Sequence, residues 1–303
     1  MRLLLLGCTG LVGRELVPLL LAAGHTITVV SRQQRQLAGV HCLQVDPSQP
    51  ESWTAGSALQ RALEQAEGVV NLAGEPIAEK RWTPAHLEVL RRSRIDTTKH
   101  LVAAINASPT PPQVLVSASA VGFYGTSETA SFNENSPAGS DVLGKLCAQW
   151  EAAAQEVNPS TRLVITRIGI VLAADGGALG KMLPIFRAGF GGPIGSGQQW
   201  MSWIARTDLC GLIAAALTDS SLQGTYNATA PNPVSMREFC SELGRVLRRP
   251  SLLPVPGAVL KLLLGDGAEV VLQGQQVLPQ RLQAQQFAFQ APQLDQALAL
   301  SLK

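Results

Sequence analysis

Short apolar runs and helical patterns alternate through the first half of the chain. An apolar run of this length, bounded by turn residues, predicts a buried strand of a covered parallel sheet. Such runs lie at 2–7, 26–31, 40–45, 68–73, 114–118 and 162–168. Helical spacing of apolar residues predicts helices at 11–23, 58–66, 84–106 and 142–157. The alternation predicts an α/β fold, a doubly wound parallel sheet covered by helices on both faces.

Glycine interrupts this pattern between 173 and 197. So much glycine predicts an irregular segment that borders a ligand rather than a regular element. Regular patterns resume with a helix at 207–217, a strand at 224–228, and helices at 235–247 and 292–302. We therefore expect a larger domain at 1–230, whose irregular 173–202 segment contributes to a substrate lobe, and a smaller C-terminal substrate lobe at 231–303.

Composition and charge exclude several classes of protein. Hydrophobic residues make up 46% and charged residues 15% of the 303 residues, which is typical of a folded globule and not of a disordered chain. A net charge of +2 gives no reason to expect nucleic acid or a membrane as a partner. Five scattered cysteines and four histidines show no metal-ligand spacing, so we expect no metal and a reducing, cytoplasmic location.

Glycines 7, 10 and 13 stand between the first predicted strand and the first predicted helix. Such a loop turns tightly, brings backbone N–H groups close to a pyrophosphate, and directs the positive end of the helix at it. The sequence therefore predicts a dinucleotide site, with Gly7, Thr9, Gly10, Leu11, Val12 and Gly13 at the pyrophosphate. A tight turn without a ligand is the alternative interpretation.

The second predicted strand ends in Ser31 and Arg32, where an NAD-binding chain usually has an acidic residue for the ribose hydroxyls. A hydroxyl beside a guanidinium can hydrogen-bond a 2′-phosphate, with Arg35 close in sequence. We therefore predict NADP(H) as the cofactor. A solvated surface arginine is the alternative.

Ligands of open α/β sheets bind at the carboxyl edge, where the other candidates lie. Asp46 is expected at the adenine edge, and Leu72, Ala73 and Gly74 on the adenosine side. Ser117 and Ser119 end the fifth predicted strand, where a hydroxyl can donate to a substrate carbonyl or the nicotinamide. A serine at a strand end also commonly bonds its own loop.

Several motifs resemble one family over nearly the whole chain. They are Gly7-x-Thr9-Gly10-x-x-Gly13, Ser31-Arg32, Asn71-Leu72-Ala73-Gly74-Glu75, Arg81-Trp82-Thr83, Ser93-Arg94-x-x-Thr97-Thr98, Ser117-Ala118-Ser119-Ala120-Val121-Gly122-x-Tyr124-Gly125, Trp150-Glu151, Arg167-Ile168-Gly169-Ile170-Val171-Leu172, Gly191-Gly192-x-x-Gly195-Ser196-Gly197-Gln198 and Ser202-Trp203-Ile204-x-x-x-Asp208. The chain resembles the extended short-chain dehydrogenase/reductases, most closely an atypical NAD(P)-dependent, nucleotide-sugar-epimerase-like group that ends in a small domain of unknown function. The resemblance implies a Rossmann-type core with a C-terminal substrate lobe, and Ser117, Arg167 and Ile170 beside the nicotinamide.

The catalytic Tyr-x-x-x-Lys pair usual in this family is absent. Glu128 follows Tyr124 at that spacing and Ala230 follows Tyr226, and no other tyrosine exists. Matched to the family's usual helix, the chain has Leu143 in place of the tyrosine and Cys147 in place of the lysine. We therefore expect Tyr124 and Ser119 to be catalytic, ahead of three other candidate groups: Glu75, Lys145 and Cys147. For Tyr124, a packed aromatic ring with a hydrated hydroxyl is the equal alternative. Trp200 and Trp203 are expected either to wall a substrate pocket or to pack in the core.

These observations predict an NADP(H)-dependent epimerase-like oxidoreductase that transfers a hydride to or from a small polar substrate, sugar- or nucleotide-linked. The competing hypothesis is a non-catalytic, NADPH-binding regulator that acts on a protein partner. Some cyanobacterial and plastid members of the resembled group are described as cell-division inhibitors, so the resemblance makes cell division the concrete case. A third hypothesis is a homo-oligomer contact made by the glutamine-rich segment 273–290.

Overall fold

This computed structural model describes residues 1–302, and its strands lie close to the apolar runs of the sequence. The strands are β1 (Arg2–Leu6), β2 (Thr26–Ser31), β3 (His41–Gln44), β4 (Gly68–Asn71), β5 (Val114–Ala120), β6 (Ser131–Phe132), β7 (Arg162–Ile168), β8 (Ile170–Leu172), β9 (Trp200–Met201), β10 (Trp203–Ala205), β11 (Gly224–Ala228), β12 (Val234–Ser235) and β13 (Gln276–Val277). The helices are α1 (Gly13–Ala22), α2 (Ala58–Glu64), α3 (Pro84–Arg91), α4 (Thr97–Ala107), α5 (Val142–Gln155), α6 (Gly177–Arg187), α7 (Arg206–Thr218), α8 (Met236–Leu247), α9 (Gly257–Leu264), α10 (Glu269–Leu272), α11 (Gln280–Ala284) and α12 (Leu294–Ser301). Lys303, the end of the predicted C-terminal lobe, lies outside the described residues.

A seven-stranded sheet in the order β11-β7-β5-β4-β1-β2-β3 forms the centre of the molecule. Every neighbouring pair in it is parallel. The predicted fold class, a doubly wound Rossmann-type sheet, is confirmed. β1 pairs with β2 on one side and with β4 on the other. The chain therefore adds strands first on one side of β1 and then on the other, so the strand order reverses at β1. Such a reversal opens a crevice at the carboxyl ends of the strands.

The leucine run of β1 is explained by burial on both faces of the sheet. Successive side chains of a strand point to opposite faces, so Leu3 and Leu5 pack in the cluster with α1 and α7. Leu4 and Leu6 pack in the opposite cluster, with α2 and α4. Each fully buried leucine contributes about 1.5–3 kcal/mol relative to an exposed one. The run is therefore continuous because neither face of this strand meets water.

The helix predicted at 84–106 is interrupted by a π-helical turn, Arg92–Asp96, between α3 and α4. Thr83 caps its start, since its side-chain oxygen accepts a hydrogen bond from the backbone N–H of His86 at 3.2 Å. A π turn inserts one extra residue and rotates the side chains that follow, which hydrophobic periodicity does not reveal.

The expectation that 173–197 is irregular was wrong, because α6 lies inside it. Leu179, Met182, Leu183 and Phe186 recur at helical spacing and are buried. Glycines concentrate at the helix ends, where Gly177 and Gly189 have φ of +62° and +84°. Glycine there permits a backbone conformation that other residues rarely adopt, so it bounds the helix and does not exclude it.

A second apolar cluster joins α6, α8, β10 and α12. Leu172 and Trp203 from the middle of the chain pack in it with Phe239 and Leu298 from the C-terminal part. The C-terminal part is thus built onto the segment 170–205. No helix among residues 1–302 is long and apolar enough to cross a membrane.

Candidate cofactor and substrate site

The predicted site residues come from six strand ends at one edge of the sheet. Because the strands are parallel, their carboxyl ends all meet there. Gly7 follows β1, Ser31 ends β2, and Asp46 lies just beyond β3. Leu72 follows β4, Ser119 lies near the end of β5, and Ile170 comes two residues after β7 ends. The topology therefore brings residues far apart in sequence to a single crevice.

The three glycines of the first loop differ in what surrounds them. A Cβ built on Gly7, where φ is +74°, would lie 2.4 Å from the backbone carbon of Leu72, and one on Gly13 would lie 1.8 Å from the Cys8 carbonyl oxygen. A Cβ on Gly10 would meet no protein atom nearer than the Gly7 carbonyl oxygen at 3.8 Å. Gly7 and Gly13 are thus required by the fold, whereas the space beside Gly10 is open to a ligand. A pyrophosphate-binding loop requires the same arrangement, with glycines that pack against the protein and one beside which the ligand can approach the backbone.

The rest of this loop is held by polar contacts to the first residue of α7. Arg206 donates a hydrogen bond to the Leu11 carbonyl oxygen at 3.3 Å and pairs with Glu15 at 2.7 Å and Asp175 at 2.6 Å. The last loop residue before α1, Val12, lines the cavity described below. The loop is therefore fixed in place, and Thr9 stays partly exposed beside it.

The end of β2 carries the cationic group expected for a 2′-phosphate. Arg32 is exposed and pairs with the Glu75 carboxylate at 3.2 Å, which Lys80 also approaches at 3.5 Å. Ser31 is buried, and its hydroxyl oxygen accepts a hydrogen bond from the Gln33 N–H at 3.2 Å. A 2′-phosphate bound here would compete with Glu75 for Arg32, a carboxylate contact that the sequence did not reveal.

Asp46 and the 71–74 segment form the neighbouring part of the edge. Although partial burial opposes ionisation, hydrogen bonds from the Ser48 N–H and hydroxyl hold the pKa of Asp46 below its ordinary value. The Asn71 side chain donates to Thr98 at 2.9 Å and accepts from the Ala73 N–H at 3.2 Å. These bonds fix the turn so that Leu72 and Gly74 line the cavity.

A cavity of about 410 Å³ opens beside this edge. One wall comes from β5 and the following turn, including Ser119, and a second from the start of α5. The third is C-terminal and includes Glu269 and residues 273–275. Two hydrogen bonds hold that third wall: Thr126 to the Gln273 side chain at 2.9 Å, and Ser202 to the Gln275 carbonyl oxygen at 2.8 Å. The glutamine-rich segment proposed for an oligomer contact thus begins as a wall of the cavity.

The Ser119 hydroxyl is oriented by a buried ion pair. Its Oγ donates to Glu151 Oε1 at 2.6 Å, and the same carboxylate accepts two hydrogen bonds from Arg167, each at 2.8 Å. All three residues are at most 5% exposed. Since its proton points at Glu151, Ser119 has lone pairs free to accept a hydrogen bond from a ligand hydroxyl.

Tyr124, Arg167 and Ser117 are not among the residues that line this cavity. The Tyr124 hydroxyl is buried, donates to Asn227 Oδ1 at 2.6 Å and accepts from Arg167 Nη1 at 2.8 Å. Burial also raises the pKa of Tyr124, although Arg167 opposes this. Ser117 lies two residues deeper in β5 and is fully buried. In this structure Tyr124 and Arg167 lie behind Ser119 and Glu151, and Ser117 lies inside the sheet, so their expected roles at the substrate and the nicotinamide stay predictions.

Leu143 and Cys147, aligned with the missing tyrosine and lysine, both line the cavity. Burial raises the pKa of the Cys147 thiol to about 12, so it is not a thiolate at neutral pH. Of the two candidate tryptophans, Trp200 lines the cavity and Trp203 is fully buried in the second core. The α5 face that usually carries acid–base groups is therefore apolar here.

Among the polar groups of the lining that were not predicted, two are charged side chains near β5 and the start of α5. Arg94 projects from the π-helical turn, and Asp141 caps α5 by accepting the Gly144 N–H at 2.7 Å. Arg94 stands in a motif that carried the resemblance, but nothing in its local sequence indicates where it points. Residues 1–302 contain no cluster of histidine, cysteine or carboxylate side chains able to hold a metal ion.

Comparison with known families decides where the chain belongs. A model described as the NAD dependent epimerase/dehydratase family matches residues 3–228, and one for a domain of unknown function, DUF1731, matches residues 255–300. The chain belongs to the NAD dependent epimerase/dehydratase family. Both the resemblance found in the motifs and its small C-terminal domain are therefore confirmed.

Relatives and solved structures extend this result. The chain is 46% identical to the chloroplastic epimerase family protein SDR39U1 homolog of Arabidopsis thaliana, over 96% of this chain and 84% of the relative. It is 38% identical to human epimerase family protein SDR39U1, over 98% of both. The crystal structure of human SDR39U1 isoform 2 with NADPH matches with a TM-score of 0.90 at 37% identity and covers 100% of both chains. The predicted cofactor class is thus confirmed for the family, and the human relative holds its phosphorylated form. Because one relative is chloroplastic, the cytoplasmic location stays a prediction.

Proposed function

We propose that this protein binds NADP(H) and transfers a hydride to or from a small polar substrate held in the cavity. The observation that carries the proposal is the open space at Gly10, in a loop whose other two glycines are required by the fold. Val12 of the same loop lines the cavity, as does Ser119. The NADPH in the human relative supports the choice of cofactor.

The cofactor would lie along the sheet edge. Gly7, Thr9 and residues 10–13 would hold its pyrophosphate, because this loop presents backbone N–H groups at the start of α1. Ser31 and Arg32 would hold the 2′-phosphate, with Asp46 at the adenine and Leu72 to Gly74 beside the adenosine. Ile170, which lines the cavity, would border the nicotinamide. When bound, the nicotinamide supplies or accepts the hydride.

Ser119 would position the substrate oxygen. Its proton is directed at Glu151, so in the state described here Ser119 accepts a hydrogen bond from a substrate hydroxyl. To serve a carbonyl, the hydroxyl must rotate away from Glu151 and donate into the cavity. Arg167 holds the carboxylate through two hydrogen bonds, which keeps the Ser119 orientation defined. The pair fits a positioning and proton-relay role without the usual tyrosine and lysine.

The test is hydride transfer by purified protein. NADPH oxidation with a panel of sugar-linked and simple carbonyl compounds should fall at least about tenfold in Ser119→Ala, while NADPH affinity stays unchanged. Ser108→Ala is the matched control, since Ser108 is a buried serine outside the cavity lining. If Ser119→Ala turns over as fast as wild type, Ser119 does not act in the reaction.

A second candidate function is supported by the apolar α5 face. With Leu143 and a protonated Cys147 in the cavity, no acid–base pair is present on that face. The protein would then be a regulator that binds NADPH and is recognised by a protein partner. The resemblance implies cell division as the process that it would regulate. Tight NADPH binding with no turnover on any substrate of the panel would favour this function over catalysis.

A further inference from the structure

Arg94 is a cationic group of the cavity that the proposed chemistry does not use. It projects from the π-helical turn Arg92–Asp96 and lines the same cavity as Ser119. Single π turns inside helices are frequent at functional sites, because they re-aim a side chain at some cost in helix geometry. The fold therefore turns a guanidinium toward the substrate space.

Within residues 1–302, Arg94 forms no ion pair with a carboxylate, and the Glu75 charge acts on it only from a longer distance. Arg94 Nη2 donates to the Glu75 carbonyl oxygen at 2.9 Å and its Nη1 to the Leu90 carbonyl oxygen at 3.3 Å, both neutral acceptors. The Glu75 carboxylate is instead engaged by Arg32 and Lys80. The carboxylates of the cavity lining, Asp141 and Glu269, form no ion pair with it.

The surroundings of Arg94 make an uncompensated charge costly. Its guanidinium lies 5.4 Å from the Trp150 ring centre, and Leu72, Leu143 and Cys147 also line the cavity. Burial lowers the pKa of Arg94 and so disfavours the charged form, although the charge of the nearby Glu75 opposes this shift without forming an ion pair with it. Arg94 is half-buried, and arginines withdrawn from water are normally paired with an acid, so the missing partner is a property to explain.

Gly74 makes room for this arrangement. A Cβ on Gly74 would lie 3.0 Å from Arg94 Cζ and 3.1 Å from Nη2. The guanidinium therefore packs on the backbone of the strand end predicted to bind the cofactor. The Nε atom has no hydrogen-bond acceptor in the described part of the chain, so a donor remains for a ligand.

We propose that Arg94 binds an anionic group of the substrate, a carboxylate or a phosphate, inside the cavity. The proposal rests on the proposed function, because it names the substrate class of that same site. A bound anion supplies the counter-charge that the protein omits, and the apolar wall favours an anion with an apolar body. A guanidinium suits this task since it can form two parallel hydrogen bonds to carboxylate or phosphate oxygens.

The experiment is calorimetric titration of NADPH-loaded protein with benzoate, with its neutral analogue benzamide, and with inorganic phosphate. Loading with NADPH fills the cofactor's own phosphate sites, so further anion binding reports the cavity. Arg94→Gln removes the charge and Arg94→Lys keeps it without the planar fork. Arg92→Gln is the matched control, because Arg92 is an exposed arginine of the same π turn.

We expect wild type and Arg92→Gln to bind benzoate at least about tenfold more tightly than benzamide, and Arg94→Gln to lose this preference. Arg94→Lys should retain part of it, which a purely structural role would not predict and which also serves if the glutamine variant fails to fold. Equal binding of benzoate and benzamide, or unchanged anion binding in Arg94→Gln, would overturn the proposal. A tenfold loss of NADPH affinity in Arg94→Gln would also overturn it, since the charge would then serve the cofactor. If wild type binds no NADPH, the proposed function fails, and the same benzoate titration without cofactor still tests Arg94.

Discussion

The same substitution at two glycines of the first loop should separate folding from cofactor binding. In Gly13→Ala the new Cβ would lie 1.8 Å from the Cys8 carbonyl oxygen, where ordinary contact begins at 3.4 Å. The shortfall of about 1.6 Å must be met by moving α1 from the sheet, since the nearest atoms are all backbone atoms of Cys8. Overpacking of this kind costs about 3 kcal/mol. In Gly10→Ala no protein atom lies closer than 3.8 Å. Its free energy of unfolding should stay within about 0.5 kcal/mol of wild type.

Gly10→Ala, which should leave the stability nearly unchanged, should weaken NADPH binding. The Gly10 methyl group would occupy the space through which a pyrophosphate approaches the backbone, so NADPH affinity should fall at least about tenfold, or ~1.4 kcal/mol. Urea unfolding gives the stability of both variants, and titration of NADPH fluorescence gives the affinity of Gly10→Ala. Wild-type affinity in a stable Gly10→Ala protein would refute the assignment of this loop to the cofactor. Wild-type stability of Gly13→Ala would refute the packing argument.

Three further predictions concern the neighbouring groups. Glu151→Gln leaves the buried Arg167 without its counter-charge and should cost about 3–5 kcal/mol in the free energy of unfolding, measured by urea denaturation; a loss below 1 kcal/mol would contradict this. Because burial raises the pKa of Cys147 to about 12, iodoacetamide should leave this thiol unmodified at neutral pH in the folded protein, and alkylation should follow only on unfolding, as peptide mass spectrometry can show. Arg32→Glu should abolish a preference for NADPH over NADH, because a carboxylate would repel the 2′-phosphate; parallel titrations with an unchanged ratio would remove Arg32 from the site.

Much of the fold could be predicted because its signals are local. The leucine run of β1, the glycine loop and the Thr83 cap each depend on residues a few positions apart. α6 was missed because the prediction relied on the local number of glycines and gave less weight to the helical repeat of apolar residues. That repeat packs against α8, which lies far away in the sequence. Local patterns thus identify elements reliably where packing and propensity agree, and fail where glycine bounds a buried helix.

The composition of the cavity could not be predicted in the same way. Its third wall brings Gln273 to Thr126, a contact between residues 147 positions apart. The motif containing Arg94 was noticed, but the direction of its side chain depends on a π turn and on the space that Gly74 leaves. Tyr124 was expected at the ligand because it follows β5, whereas two aromatic neighbours, Phe123 and Phe132, and the Arg167 guanidinium hold it inside.

The two arginines set behind and beside Ser119 show how a supporting charge differs from a ligand-facing one. Arg167 gives two hydrogen bonds to Glu151 and one to Tyr124, so its charge is neutralised within the chain and it has little left to offer a ligand. Arg94 donates hydrogen bonds to backbone carbonyl oxygens, which are neutral, and its side chain lines the cavity. Because a charge withdrawn from water is stabilised by a counter-charge, the unpaired Arg94 is the group that we propose a substrate completes. The same reasoning separates Tyr124 and Arg167, which are satisfied within the chain, from Ser119 and Arg94, the two groups that we propose meet the substrate.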